Sequence, residues 1–110
     1  MGTLSVRESK ETLMGAFGCP DTENTKLISV ASTSAEATSL FKNTWYRIVS
    51  STDCHVHFAA SGDATTSHMF MKAGIPEIFY TGDFSRIAAI RNSADGVLYA
   101  TPMQITVDQD

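Results

Sequence analysis

The residues with the most reactive side chains lie close together: Cys54, His55 and His57, with His68 eleven positions further on. In CHVHFAA the two histidines stand at i and i+2. Side chains alternate between the faces of a strand, so both imidazoles project from the same face and could reach one metal ion, with His68 on a neighbouring strand as a third ligand. The same strand turns Val56, Phe58 and Ala60 to the opposite face, as a half-buried strand does. His55 and His57 are therefore read as its outward polar residues, and no metal or cofactor is assigned. Cys54 next to His55 invites a nucleophilic dyad. Adjacent strand residues face opposite ways, however, so Cys54 reads as a buried, inert thiol. Cys19, beside Pro20, has no basic or histidine neighbour in sequence.

Arg47 stands between Tyr46 and Ile48 on an aromatic, β-branched segment. It is the candidate binding residue of the domain, placed to pair with Asp53 or Glu77 or to clamp a carboxylate of another subunit. Arg86 and Arg91 bracket RIAAIR and are expected to keep its ends wet. No glycine-rich phosphate loop, paired catalytic carboxylates or G-x-S-x-G elbow is present, and no catalytic residue is assigned.

The elements that must position these residues are strands. LISVAST, TWYRIVS, CHVHFAA, HMFMKAG, EIFYTGD, RIAAIR and VLYAT are rich in β-branched and aromatic residues and are separated by turn residues. SAEATSLF is ambiguous between a strand and a short helix capped by Ser34. Asp95-Gly96 is the strongest local turn signal and predicts a hairpin-type loop. After Pro102, MQITVDQD alternates, with Met103, Ile105 and Val107 expected inward. About eight strands at this spacing predict an all-β fold, an antiparallel β-sandwich of jelly-roll type. Residues 1–24 read as an N-terminal arm or first strand, and residues 25–110 as a single sandwich domain. Leu4, Val6, Leu13 and Phe17 are the arm's candidate contacts, able to pair along the strand edge of a partner.

Composition narrows the function. The chain has 110 residues, 43% hydrophobic, enough for one core. Charged residues reach only 18%, and 25 Ser and Thr fill the gap. Eight Lys and Arg against 12 Asp and Glu give a net charge of −4, with the cations scattered singly. Phosphate neutralisation needs a basic footprint, so nucleic acid is not expected as a partner. No apolar run approaches the roughly 18 residues of a membrane span, and no basic-then-apolar leader pattern is seen. Two cysteines do not make a disulfide framework, and both are expected to be reduced, as in a cytoplasmic protein.

Three segments, WYRIVSSTDCHVHFA, AGIPEIFYTGDFSRIAAIR and ADGVLYATPM, resemble a group of small virion proteins of tailed bacteriophages. The resemblance covers about residues 44 to 103 and leaves the arm outside. It implies a jelly-roll capsid decoration, cement or stapling protein: a non-enzymatic homo-oligomer, with a dimer favoured, on the outer capsid surface of the virion. Its partner would be the major capsid protein. Other virion modules are the second reading: a piece associated with the head–tail connector, a head fibre or an adhesin. A third reading starts from cupins, small barrels that bind metal through an H-x-H strand. Cupins place a Glu four or five residues after the second His, where this chain has Ser61 and Gly62.

Overall fold

Alternation of period two governs the long strands, because successive side chains of an extended chain point to opposite faces. In TWYRIVS it buries Tyr46, Ile48 and Ser50 and turns Arg47 out, and in KLISV it buries Ile28 and Val30. The computed structural model describes residues 19–104. Its strands are β1 (Cys19–Pro20), β2 (Lys26–Val30), β3 (Ala35–Ala37), β4 (Trp45–Ser50), β5 (Cys54–Phe58), β6 (Met69–Met71), β7 (Glu77–Tyr80), β8 (Ile87–Arg91) and β9 (Gly96–Gln104). A single 3-10 turn, Thr22–Asn24, joins β1 to β2.

In the first sheet β9 pairs with β1 and β2 on one side and with β4 on the other, and β4 pairs with β7. The second sheet has the order β3-β8-β5-β6. Every pairing is antiparallel, and the pairs nest: β2 with β9, β3 with β8, β4 with β7, β5 with β6. From β2 onward each connection except β5–β6 crosses between sheets. The protein is thus an all-β sandwich of two antiparallel sheets. Ile28, Val30, Tyr46, Ile48, Leu98 and Ala100 of the first sheet pack against Cys54, Val56, Met71, Ile87 and Ala89 of the second.

One ambiguity is resolved and two expectations need correction. The segment after Ser34 is strand: Ala35 and Ala37 pair with Ala89 and Ile87. The Ser34 hydroxyl accepts the N–H of Ala64, 2.8 Å away, instead of capping a helix. Pro102 does not separate two strands either, because β9 runs through it to Gln104. The Pro102 carbonyl accepts the Asp21 N–H at 2.8 Å. Nitrogen and carbonyl of one strand residue point the same way, so the missing N–H faces the stretch between β1 and β2, where no strand requires it. The inward residues of β9 are therefore Leu98, Ala100 and Pro102, and Met103 is only half-buried. Ile105 and Val107 lie outside the described residues, as do Leu4, Val6, Leu13 and Phe17 of the arm. Within the stretch read as arm or first strand, Cys19 and Pro20 pair with Gln104 and Met103.

The second correction concerns Asp95-Gly96. It joins β8 to β9, strands of opposite sheets, so the link is an arch between sheets and not a hairpin. The glycine answers to space. A Cβ on Gly96 would lie 2.6 Å from both Ser51 Oγ and Thr52 Cγ2 in the β4–β5 turn. That turn is fixed in place, since the Ser51 N–H donates to the Val97 carbonyl and the Ser51 hydroxyl accepts the Val97 N–H, both at 2.9 Å. Gly96→Ala should cost about 1–3 kcal/mol through overpacking, read as a lower urea midpoint. Gly74→Ala, in the left-handed region but with open space around it, should show only the smaller cost of a strained φ.

Candidate functional site

The second sheet brings all three histidines of the chain together, but not around a common point. His55 and His57 leave β5 on its outer face, opposite Ile90 and Ala88 of β8. The connection from β5 to β6 returns over this face. The Arg86 guanidinium, 12% exposed, holds that loop by donating to the Gly62 carbonyl at 2.7 Å and the Ala59 carbonyl at 3.3 Å while pairing with Glu36. The Ser34–Ala64 bond pins it further across the sheet. Ala88 shares the outer face with His57 and Glu36 yet has no exposure. Arg86 is therefore a clamp and not the wet strand end expected of it. Arg91 is partly exposed and pairs with Asp95 at 2.6 Å across the β8–β9 arch.

His68 returns with the loop and stacks on His57, ring centroids 3.8 Å apart and planes 11° from parallel. Its Nδ1 accepts the Thr65 N–H at 2.9 Å. Imidazole lone pairs lie in the ring plane, so two parallel stacked rings direct them side by side and not at one ion. His55 is 8% exposed, and both its nitrogens are engaged, Nδ1 with the His68 carbonyl and Nε2 with Asn92 Oδ1, each at 3.0 Å. The ring of Phe70 meets it edge-on at 5.5 Å. The expectation of outward polar residues is corrected for His55, which the returning loop covers. Together the histidines fasten a loop, and the described residues contain no cluster of three or more His, Cys, Asp or Glu able to hold a metal ion.

Cys54 lies on the inner face of β5 with no exposure. Burial pushes its thiol pKa up and the nearby Asp53 charge adds to the rise, while a hydrogen bond with Ser50 opposes it. The Tyr46 phenol is also raised, chiefly by burial, although the Phe41 N–H donates to its oxygen at 2.8 Å. Cys19 is exposed.

Arg47 opens a different surface, the outer face of the first sheet. It is exposed, with Thr101 of β9 on one side in register and Ile78 of β7 on the other. Neither expected carboxylate reaches it. Asp53 instead accepts the Ala73 N–H at 2.8 Å and faces Lys72 at 3.7 Å. Around Arg47 the outward positions are largely apolar. Tyr99 sits between Leu27 and Val49 in register, and Trp45 lies opposite Tyr80 with ring centroids 5.0 Å apart. Leu27 is 61% exposed, Tyr80 49%, Tyr99 41% and Ile78 39%. Arg47 is the sole charged side chain at the outward positions of β2, β4, β7 and β9.

Sequence reasoning singled out Arg47 but not the exposed apolar side chains that surround it. The signal was there: TWYRIVS and EIFY carry large apolar residues at both parities, which a strand with one buried face does not need. Comparison with known proteins finds no matching family model, no matching curated protein and no matching solved structure.

Cys54 and Tyr46 both keep their protons more firmly in the fold than in the unfolded chain. Their contribution to stability is complete below their ordinary values, 9.0 and 10.0, and is lost as pH rises through the raised folded ones. Urea midpoints should fall above about pH 9, with the onset moved toward about pH 10 in Cys54→Ala. At neutral pH a thiol reagent should label Cys19 alone until the fold is denatured.

Proposed function

We propose that this chain is a structural module of a tailed-phage virion, a decoration, cement or stapling protein that binds the outer capsid surface and bridges neighbouring capsid subunits. The observation that carries the reading is the exposed apolar face of the first sheet, with Leu27, Tyr99, Ile78 and Tyr80 around Arg47. Soluble monomers rarely expose a contiguous apolar patch of more than a few hundred Å2, and such a patch rimmed by polar residues marks a contact surface. Exposed tyrosines suit this role, because one side chain offers both a broad apolar ring and a hydroxyl. The resemblance of residues 44–103 to small phage virion proteins names the partner class. The nested strand pairing supports the jelly-roll reading, since it is the order produced by rolling up one long hairpin.

The physics of a shell gives such a face its use. Packaged DNA presses outward, and the shell parts first at its weakest seam. A module in contact with both sides of a seam stabilises the closed state by its binding free energy. Two paired copies raise each other's effective concentration at the seam, so modest single contacts suffice. The homo-oligomer, with a dimer favoured, belongs to this proposal.

Cryo-microscopy of shells mixed with purified protein tests the reading. Saturation at hundreds of copies over the shell is expected. A few copies at one vertex would move the assignment to a connector-associated or fibre module, and no binding would overturn it. Tyr99→Asp should reduce affinity for the shell roughly tenfold or more. The thermal midpoint should change little, because Tyr99 faces outward.

A further inference from the structure

We infer that the surface docking on the outer face of the first sheet belongs to another protein and supplies a carboxylate, set among apolar side chains, to Arg47. The inference rests on the capsid-binding reading and specifies the chemistry of that contact. Arg47 lies on β4 with β9 and β7 on either side, so a partner that covers Tyr99 and Ile78 also covers the guanidinium. Among the described residues it makes no hydrogen bond or ion pair, and no acidic side chain stands at an outward position of the four strands. Among the described residues nothing compensates its charge before the contact forms.

Covering that charge with a purely apolar surface would remove its water and supply nothing in exchange, which disfavours such a contact strongly. A carboxylate reverses the balance, because the planar guanidinium presents donors in a fork that matches two carboxylate oxygens. The same argument decides against a second copy as occupant. A two-fold contact through this face sets the same patch against itself, and the outward positions of its four strands offer Arg47 no acid. A partner that buries the tyrosines and leaves the guanidinium wet is the alternative geometry, and it has a different mutational signature.

The test measures binding of wild type, Arg47→Met, Arg47→Lys and Arg47→Glu to shells purified without this chain, with the thermal midpoint of each variant as a folding control. Arg47 is exposed, so all four should fold alike. Arg47→Met preserves stem volume and removes the charge. It should weaken binding roughly 30-fold or more by stranding the partner's carboxylate. Arg47→Lys should recover part of the loss, and Arg47→Glu should abolish binding. Equal or tighter binding by Arg47→Met, with wild type bound, overturns the carboxylate and leaves the capsid reading standing. Failure of wild type itself to bind overturns both. Concentration-dependent dimers in ultracentrifugation that Tyr99→Asp dissolves would give the face to a second copy and also overturn the inference.

Discussion

The pairing of β4 with β9 is the constraint from which the rest of the first sheet follows. Tyr46, Ile48 and Ser50 lie opposite Pro102, Ala100 and Leu98, and all six are buried. Once that register is set, the period of two leaves no freedom for the residues between. Arg47, Val49, Tyr99 and Thr101 must face away from the core. A slip of one residue on β4 would bury Arg47 and expose Ile48, and this gap in free energy holds the register. The outer face is thus a fixed consequence of the inner one, and its residues are placed with the rigidity of the core.

The two sheets treat their outer faces differently. On the second, the β5–β6 loop returns over the strands and is fastened by Arg86, by Ser34 and by the stacked pair His57 and His68. Even Ala88, which faces outward, loses all contact with solvent. On the first, Leu27, Ile78, Tyr80 and Tyr99 stay in water. The second sheet is thus covered by its own loop over β5 and β8, although Phe70 on the edge strand β6 stays 47% exposed, while the outward apolar side chains of the first sheet stay open. Polar groups in the interior are satisfied. Thr81 Oγ1 donates to the Phe41 carbonyl and accepts the Thr44 N–H, so the loops at that end of the sandwich hold each other. No buried side-chain nitrogen or oxygen among the described residues lacks a partner.

The histidines show how residue type and spacing can suggest a chemistry that three-dimensional arrangement redirects. The H-x-H spacing does put two imidazoles on one face, and His68 does arrive beside them. Ligation needs lone pairs that converge. Stacking makes the rings of His57 and His68 parallel, and hydrogen bonds with the His68 carbonyl and Asn92 occupy both nitrogens of His55. Their polarity goes into closing the loop.

Most strands were legible in the sequence, because β-branched and aromatic runs separated by turn residues leave few alternatives. So was the shared face of Val56 and Phe58, since alternation is local. The strand at Ala35–Ala37 was not legible, because it is held by pairing with Ile87, Ala88 and Ala89 of β8 and not by its own propensity. Local pattern along the chain was thus enough for the all-strand class and for which residues of each strand share a face, both of which depend on near neighbours. It could not show that β9 runs through Pro102, that Gly96 makes room for a turn, that a loop covers His55, or that Arg47 stands amid exposed apolar side chains. Those outcomes came with the assembled sheets, because they depend on which strands meet. Residues far apart in the chain settle that through packing and pairing, which no short stretch encodes.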